Sequence, residues 1–306
     1  MNALVIDRLG GPEVYRIAEM PIPEPGPGEV QVRVDGAGIN PMDWKIREGL
    51  FGPATPPTFP AVTLREFSGV VTRVGPEVDV PAVGDAIYGI TDHGAAAEFT
   101  VAKADAVGPR PKSLHPWDAA IVPLAGMTAW QALFDFGDLK PGQRVLIHAA
   151  AGGVGTYAVQ LAKWAGAYVI GTCGPEHTDA VWRLGADQVV NYQRDRFEDV
   201  VAPVDMVLHS IGDDEVPASI QVLKPGGILV SITADPLEAE AAALGKRSVR
   251  FTMQPNTDQL KSLGELIDNG TIRPVIDDVV PLERAQDALV ESQRGHTLGK
   301  LGVRMH

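Results

Sequence analysis

A run of small residues between an apolar segment and an amphipathic segment is the strongest chemical signal in the sequence. From Val145 to Gly155 the chain reads Val-Leu-Ile-His-Ala-Ala-Ala-Gly-Gly-Val-Gly. Dinucleotide-binding turns carry three small residues at the spacing G-x-G-x-x-G, and here Ala150, Gly152 and Gly155 hold those positions. Gly152 would let the backbone approach a pyrophosphate, Gly155 would let the helix pack on the strand, and the helix N-terminus would attract phosphate. The run therefore predicts a phosphate-binding turn. The alternative is a tight turn without a ligand, because Ala150 replaces the first glycine.

The end of the next predicted strand indicates which dinucleotide would bind. An NAD site usually places Asp or Glu about 20 residues after the turn, where the carboxylate holds the ribose 2′-hydroxyl. Here the strand ends at Thr172 and Cys173, and Glu176 beyond it is predicted to be solvated. Without a carboxylate to repel a 2′-phosphate, the sequence favours NADP over NAD. The side chains that could contact this phosphate are His177, Thr178, Arg183 and Tyr192.

The segments around the turn predict a doubly wound parallel sheet. Arg144–His148 is an apolar strand, and Val154–Ala165 has its apolar residues on one helical face. Repeated alternation of strands and helices indicates a parallel sheet that is covered on both faces. The carboxyl ends of the later strands, 210–212 and 231–233, should line the cofactor crevice, with Ile211, Ile232 and Thr233 as contacts. The later strand candidates are Tyr168–Thr172, Gln188–Val190, Met206–His209, Ile228–Ile232 and Val249–Met253.

The first hundred residues predict β structure instead. Glu29–Asp35 alternates strictly between polar and apolar residues, as a half-buried strand does. The chain then becomes helical over Trp117–Phe136, and its last thirty residues carry a helix and a last strand near Leu301–Arg304 that should return to the β front. We therefore predict one β-rich domain from 1–116 and 275–306 and one parallel-sheet domain from 117–274. The other strands predicted in the front are Ala3–Ile6, Gly69–Val74, Ala86–Gly89 and Ala96–Val101. The tail helix is Leu282–Arg294, and a further helix, Leu260–Asn269, is predicted within 117–274.

Composition excludes several classes of protein. The 306 residues suggest about two domains. The formal net charge of −13 argues against nucleic acid or an anionic membrane as a partner. The single cysteine, Cys173, can form neither an internal disulfide nor a cysteine-rich zinc site, and we interpret it as a small strand-end residue rather than a redox switch. A cytoplasmic protein is expected.

Several motifs together resemble the medium-chain dehydrogenase/reductase superfamily, and most closely its zinc-free quinone oxidoreductase (zeta-crystallin-like) and enone reductase branch. The resemblance spans nearly the whole chain and implies a GroES-like β-rich domain plus a Rossmann domain. The motifs are Gly38–Gly49, Phe67–Val71, Pro123–Leu133, Ala149–Gly155 with Ala158–Lys163, Leu184–Asp187 with Asn191-Tyr192, Leu223–Gly227 and Gly299-Lys300.

The zinc ligands of other superfamily members are missing from these motifs. Zinc members place Cys where this chain has Asn40, and a Gly-His-Glu stretch where it has Leu64-Arg65-Glu66. The cysteine cluster of the structural zinc is also absent from the sequence. His93, His115 and His148 show no metal spacing. We therefore expect no metal site.

The resemblance also implies roles for individual residues. Asn40 would lie beside the nicotinamide ribose, Thr128 on the nicotinamide side, and Lys300 within the cofactor set. Thr178 replaces a lysine of the family, which leaves open what grips the 2′-phosphate. The pyrophosphate would contact Gly152, Gly153 and Val154, and the adenosine phosphate would lie near Gly174 and Tyr192.

Lys45 is the candidate catalytic residue together with Asn40. The pattern Asn-Pro-x-Asp-x-Lys resembles enone and alkenal reductases, in which Lys45 would reach the substrate oxygen or the ribose; alternatively it is a solvated lysine. Asp43 is predicted to pair with Arg47 at i,i+4. The candidate pocket walls, for which core packing is the alternative, are Trp44, Phe51, His93 and Trp130.

Hydride transfer to an electron-poor double bond needs positioning and a donor to the substrate oxygen, and the cofactor supplies the hydride. The sequence therefore predicts an NADPH-dependent, zinc-independent oxidoreductase acting on a small-molecule quinone or α,β-unsaturated carbonyl. The alternatives are an enoyl-thioester reductase of the same superfamily and a non-catalytic, crystallin-like NADPH-binding protein. The resemblance further implies a homodimer that pairs near Arg247–Met253.

Overall fold

A computed structural model describes residues 1–50 and 58–305. The chain divides into two compact units. The β-rich unit contains Met1–Leu124, Pro255–Gly270 and Pro274–His306, and the parallel-sheet unit contains Ala125–Gln254 and Thr271–Arg273. Sixteen strands are assigned within the described ranges: β1 Asn2–Ile6, β2 Tyr15–Glu19, β3 Glu29–Gly38, β4 Ala61–Val62, β5 Glu66–Val74, β6 Ala86–Ile90, β7 Phe99–Lys103, β8 Val107–Pro109, β9 Arg144–Ile147, β10 Tyr168–Cys173, β11 Gln188–Asn191, β12 Val204–His209, β13 Leu223–Ser231, β14 Arg247–Arg250, β15 Ile276–Pro281 and β16 Lys300–Arg304.

The helices alternate with strands mainly in the second unit. In the same described parts of the chain they are α1 Pro41–Arg47, α2 Pro116–Ala119, α3 Pro123–Trp130, α4 Gly153–Trp164, α5 Thr178–Arg183, α6 Phe197–Val200, α7 Val216–Gln221, α8 Glu238–Ala243, α9 Thr257–Asp268 and α10 Ala285–Arg294. A π-helical turn over Gln131–Phe136 extends α3.

The parallel-sheet unit is a doubly wound sheet with the order β11-β10-β9-β12-β13-β14, and every strand pair in it is parallel. This order confirms the predicted Rossmann fold. The centre of the sheet is β9, whose residues Val145, Leu146 and Ile147 are fully buried. The strand order reverses between β9 and β12, which is where ligands bind in such sheets, outside the carboxyl ends of the strands.

The β-rich unit contains a seven-stranded and a three-stranded sheet. The long strand β3 pairs with β5 and β7 and, at its far end, with the C-terminal strand β16 through Gly38 and Gly302. This pairing confirms that the last strand returns to the β front. Strands β2, β4, β8 and β15 and helix α1 were not predicted.

Helix α9 packs with the β-rich unit, whereas the predicted boundary had placed it in the parallel-sheet domain. The Tyr88 hydroxyl donates to the Leu260 carbonyl at 2.5 Å. The Thr257 hydroxyl donates to the carbonyls of Asp105 and Val107, each at 2.9 Å. These contacts explain why 255–270 belongs to the β-rich unit, which also takes in residues 117–124.

The helical stretch Pro116–Phe136 is long and apolar enough to cross a membrane by length and composition alone. However, 72% of its most apolar 18-residue stretch is buried inside the protein. Burial of this kind is what a core helix of a folded protein shows.

Candidate coenzyme and substrate sites

The turn between β9 and α4 has the backbone geometry that its small residues predict. Ala149 adopts a positive φ of 46°, and its carbonyl accepts from the Gly152 amide at 2.9 Å. A Cβ on Gly155 would lie 2.7 Å from the Ala150 Cα, so only glycine lets α4 approach this closely.

The N-terminus of α4 is suited to a pyrophosphate. Gly152 is the N-cap, and having no side chain it cannot cap the helix. The amides of the first turn, which begins at Gly153 and Val154, have no acceptor within the helix. They are therefore available to phosphate oxygens, and the helix dipole favours an anion at the same point. The residues present thus fit a dinucleotide.

Residues that follow the ends of β12 and β13, in the same parallel sheet as β9, contact each other. The Thr233 hydroxyl donates to the Ile211 carbonyl at 2.7 Å. The Ile232 amide donates to the carbonyl of His209, the last residue of β12, at 3.0 Å. Ile211, Ile232 and Thr233, which were predicted as crevice residues, therefore form one connected edge.

Just beyond the end of β10 lies the exposed side chain of Glu176. Its carboxyl group folds back over Gly174, so that a Cβ there would lie 2.7 Å from Glu176 Oε2. His177 Nε2 lies 3.8 Å from Glu176 Oε1. The Glu176 side chain is 45% exposed, so the prediction that it is solvated is confirmed. Tyr192 is half exposed beside it, with its amide donating to the Cys173 carbonyl.

The Cys173 thiol lies beneath this strand end and is buried. Burial raises its pKa, the charge of Glu176 raises it further, and a hydrogen bond with Thr178 opposes both. A buried thiol that is held protonated is a poor nucleophile, which favours the interpretation of Cys173 as a packing residue.

In the β-rich unit, three buried polar residues form a connected group that we call the polar cluster: Asn40, Glu66 and Lys300. Asn40 Nδ2 donates to Glu66 Oε1 at 2.8 Å, and Lys300 Nζ donates to Asn40 Oδ1 at 2.5 Å. Lys300 Nζ also lies 2.7 Å from Glu66 Oε1 and 2.7 Å from the Ile39 carbonyl. The second oxygen of Glu66 accepts from the Leu124 amide at 2.8 Å.

The polar cluster fixes the orientation of the Asn40 amide. Its oxygen faces an ammonium and its nitrogen faces a carboxylate, so a flip would reverse both hydrogen bonds. Lys300 is 4% exposed, and its three donors have three protein acceptors. The sequence placed Lys300 in the cofactor set; the structure places it against Asn40, where it positions that side chain.

Asp43 does not pair with Arg47, so that prediction was wrong. Asp43 Oδ2 instead accepts from the Asn40 amide at 2.7 Å and caps α1. Arg47 is fully buried and donates to the Gly10 carbonyl at 3.0 Å and to the Gln293 side chain at 2.9 Å. Burial raises the pKa of Asp43 to about 7, against the lowering effect of the Asn40 amide.

The remaining candidates of this unit are less tightly held. Lys45 follows Trp44 on α1, and its Nζ lies 5.4 Å from the centroid of that indole ring. The indole Nε1 of Trp44 is buried without an acceptor among the residues described. His93 Nε2 lies 3.5 Å from Glu29 Oε1. Phe51 lies outside the described residues, so these pocket walls stay predictions.

In the parallel-sheet unit, Thr128 lies buried on α3. Trp130 packs edge-on against Phe134 at a centroid separation of 5.2 Å and lies 6.0 Å from the ring of Trp164. Trp130 thus belongs to an aromatic group of its own unit. Within 1–50 and 58–305, no group of three or more His, Cys, Asp or Glu side chains is arranged to hold a metal ion.

Sequence reasoning missed Glu66, and it missed that His148 and His209 form a connected group. Glu66 was noted only as part of a failed zinc motif. The signal that could have found it is its place at the start of a strand candidate whose first residues are mostly apolar, because an unpaired carboxylate buried there would be costly. The signal for the histidines is their place directly at two strand ends of the predicted sheet.

Comparison with known proteins gives the family. The model described as "Alcohol dehydrogenase GroES-like domain" matches residues 26–112, and the one described as "Zinc-binding dehydrogenase" matches 184–302. A chloroplast envelope quinone oxidoreductase homolog of Arabidopsis thaliana is 34% identical, with 99% of this chain and 98% of that protein covered. An NADPH-dependent alkenal/one oxidoreductase, chloroplastic, of the same plant is 31% identical over 99% of this chain and 79% of its own length.

A solved structure agrees with these relatives. Escherichia coli quinone oxidoreductase complexed with NADPH superposes with a TM-score of 0.91 and 28% identity, and all of both chains is covered. The fold and the small-residue turn define a two-domain oxidoreductase that uses a dinucleotide. This chain belongs to the medium-chain dehydrogenase/reductase superfamily, in its quinone oxidoreductase branch.

Proposed function

We propose that this chain is an NADPH-dependent, zinc-independent oxidoreductase that transfers a hydride to a small quinone or α,β-unsaturated carbonyl compound. The observation that carries the proposal is the turn between β9 and α4, where Gly155 leaves no room for a Cβ and Gly152 leaves the helix N-terminus open. The names of the relatives support the same coenzyme and the same substrate classes.

The parallel-sheet unit supplies the coenzyme contacts in this proposal. Gly152, Gly153 and Val154 hold the pyrophosphate, and Gly174 and Tyr192 lie near the adenosine phosphate. NADPH bound there supplies the hydride. Ile211, Ile232, Thr233 and Thr128 shape the nicotinamide side of the same unit.

The β-rich unit supplies the substrate side. Asn40 is held rigidly by Glu66 and Lys300, so its remaining N–H can be presented in one orientation without reorganisation. Lys45 donates to the substrate oxygen, where negative charge develops during reduction. Trp44 is the pocket wall best supported, because its indole N–H is buried without a described acceptor.

The test measures NADPH oxidation with a simple benzoquinone, a short enone and a short enoyl thioester as separate substrates. We expect turnover with the quinone or the enone, and we expect Lys45→Met to lower kcat at least tenfold while the Kd for NADPH changes less than twofold. Lys140→Met, a substitution on the surface, is the matched control. Preferential turnover of the thioester, or tight NADPH binding with no turnover at all, would overturn the proposal.

We also propose a homodimer and a cytoplasmic location. β14 is the edge strand of the parallel sheet and pairs only with β13 in the described chain, which leaves its outer side for a second copy. Light scattering of the purified protein should give about twice the 32.5 kDa chain mass. A mass of one chain would remove the dimer from the proposal.

A further inference from the structure

Four buried polar side chains of the parallel-sheet unit form a chain that we call the histidine relay: His148, Thr172, His209 and Ser219. They lie at the carboxyl ends of three neighbouring strands, β9, β10 and β12, and on helix α7. Each is at most 4% exposed. The proposed function uses none of them directly, although they lie beneath the turns assigned to the coenzyme.

One end of the relay is the turn after β9. The Ala149 amide donates to Thr172 Oγ1 at 3.3 Å, and His148 Nδ1 lies 3.3 Å from the same oxygen. The other ring nitrogen, His148 Nε2, lies 2.9 Å from Ser219 Oγ. Ala149 is the residue with positive φ in the phosphate turn.

The other end is the turn after β12. Ser219 Oγ lies 3.5 Å from His209 Nδ1, and His209 Nε2 lies 2.9 Å from the Gly212 carbonyl oxygen. A carbonyl oxygen can only accept, so His209 must carry its proton on Nε2. Gly212 directly follows Ile211 in the predicted crevice.

These two ends fix the direction of every hydrogen bond between them. Neutral His209 protonated on Nε2 has a bare Nδ1, which accepts from the Ser219 hydroxyl. The Ser219 oxygen then accepts from His148 Nε2–H, and the bare His148 Nδ1 accepts from the Thr172 hydroxyl. The Thr172 oxygen finally accepts from the Ala149 amide, so every donor has one acceptor.

The opposite tautomer of His148 leaves groups unpaired. With its proton on Nδ1, His148 would accept from Ser219, and His209 Nδ1 would lose its only donor of the relay. The Thr172 hydroxyl hydrogen would also lose its acceptor. Unpaired polar groups in such a buried position cost about 1–3 kcal/mol each. Both rings are expected to be neutral, since burial lowers the pKa of His148 to about 3, with the nearby His209 adding to this, and burial lowers the pKa of His209 as well.

We infer that the histidine relay is a positioning device for the coenzyme, which locks the turn at Ala149 to the turn at Gly212 through one ordered chain of hydrogen bonds. The inference rests on the proposed function, because it assigns both turns to the coenzyme. A further bond joins them: the Ser210 hydroxyl donates to the His148 carbonyl at 2.9 Å. Breaking the relay should release the strained turn and weaken coenzyme binding, while chemistry at saturation is preserved.

The first test reads the tautomers in the full chain labelled with ¹⁵N-histidine. Two-bond ¹H–¹⁵N spectra should show both rings protonated on Nε2, and the His148→Gln and His209→Gln variants assign the two signals. Protonation of either ring on Nδ1 would overturn the ordered relay.

The second test measures NADPH binding by fluorescence titration. Ser219→Ala breaks the relay in the middle and Thr172→Val breaks it at one end with little change of shape. We expect each to raise the Kd for NADPH about tenfold, which corresponds to 1.4 kcal/mol, while kcat at saturating NADPH stays within twofold. Ser248→Ala is the matched control, because its buried hydroxyl has no partner among the described residues.

The outcomes separate the two proposals. Unchanged Kd in both relay variants would overturn the positioning role even if the tautomers are as expected. If the wild-type chain fails to bind NADPH, the proposed function falls and the coenzyme role of the relay falls with it. The tautomer spectrum still decides in that case whether the ordered relay exists.

Discussion

Replacing Lys300 by Met tests the polar cluster most directly. The substitution keeps the length of the side chain but removes the ammonium from Glu66, which is fully buried, and from the Asn40 amide oxygen. Removing one partner of a buried ion pair typically costs about 3–5 kcal/mol, because the other charge stays uncompensated. Lys300→Met should therefore lower the free energy of unfolding by about 3–5 kcal/mol in urea.

The double variant Glu66→Gln with Lys300→Met separates charge from positioning. It removes both charges, but a Gln side chain has one acceptor where Glu66 uses two, for Asn40 and for the Leu124 amide. One lost hydrogen bond costs about 1–3 kcal/mol, so the double variant should be more stable than Lys300→Met. The kcat of the double variant should be lower than that of the wild type, as should the kcat of Lys300→Met, because Asn40 lacks the hydrogen bond from Lys300 in both. A misplacement of about 1 Å can lower a rate about 100-fold.

Lys163→Met provides the matched control for both measurements. Lys163 Nζ makes two 2.9 Å contacts with Asp187, but both side chains are about one-third exposed. A surface pair of this kind contributes about 0–1 kcal/mol. If Lys300→Met costs no more than Lys163→Met, or if the double variant regains full turnover, the reasoning about the polar cluster is refuted.

Three further predictions concern the coenzyme site and the cap of α1. Glu176→Gln should raise the preference for NADPH over NADH about tenfold in titrations, because a carboxylate at the end of β10 repels a 2′-phosphate; an unchanged ratio would place Glu176 outside the ribose site. Gly155→Ala should lower the free energy of unfolding by about 1–3 kcal/mol and weaken NADPH binding. Gly264→Ala, where a Cβ would meet no atom closer than 3.5 Å, should do neither. The pKa of Asp43 is raised from 3.8 to about 7, so between these pH values the folded state keeps a proton that the unfolded chain has lost. The free energy of unfolding of the wild type should therefore fall relative to that of Asp43→Asn by up to about 4 kcal/mol as pH rises from 3.8 to 7, and then level off. A constant difference across that range would contradict this.

The parts of the fold that the sequence predicted are those with local causes. The alternation from Glu29 to Asp35 gave β3, and the apolar face from Val154 to Ala165 gave α4 within one residue at each end. The phosphate turn was predicted because the packing of Gly155 on Ala150 depends on residues a few positions apart. Periodicity and turn chemistry are enough for features of this kind.

Helix α1 shows a local signal that was misinterpreted. Asp43 lies three residues after the N-cap Asn40, where its carboxylate reaches back to the Asn40 amide. The same carboxylate lies four residues before Arg47, which suggested an ion pair. The cap forms because the buried Asp43 carboxylate pairs an otherwise unpaired amide at the helix start. Arg47 instead forms its ion pair with Glu48 and donates to Gly10 and Gln293.

The polar cluster and the relay could not be predicted because their bonds join distant parts of the chain. Lys300 and Asn40 are 260 positions apart, and His148 and Ser219 are 71 apart. Both pairs meet only when the sheets have formed, through the pairing of β16 with β3 and of β12 with β9. A sequence shows the residue types at such positions but not which of them meet.

The polar cluster also explains how this chain differs electrostatically from a zinc enzyme at the corresponding positions. A zinc site needs anionic or neutral ligands around a cation, and here the ammonium of Lys300 already neutralises Glu66 at 2.7 Å. A divalent cation at Asn40 would have to displace Lys300 or face it as a like charge in a buried position, which is strongly unfavourable. The proposed substrate side therefore has a fixed internal cation that orients Asn40. If the proposal holds, removal of that cation by Lys300→Met should alter how Asn40 treats a substrate oxygen.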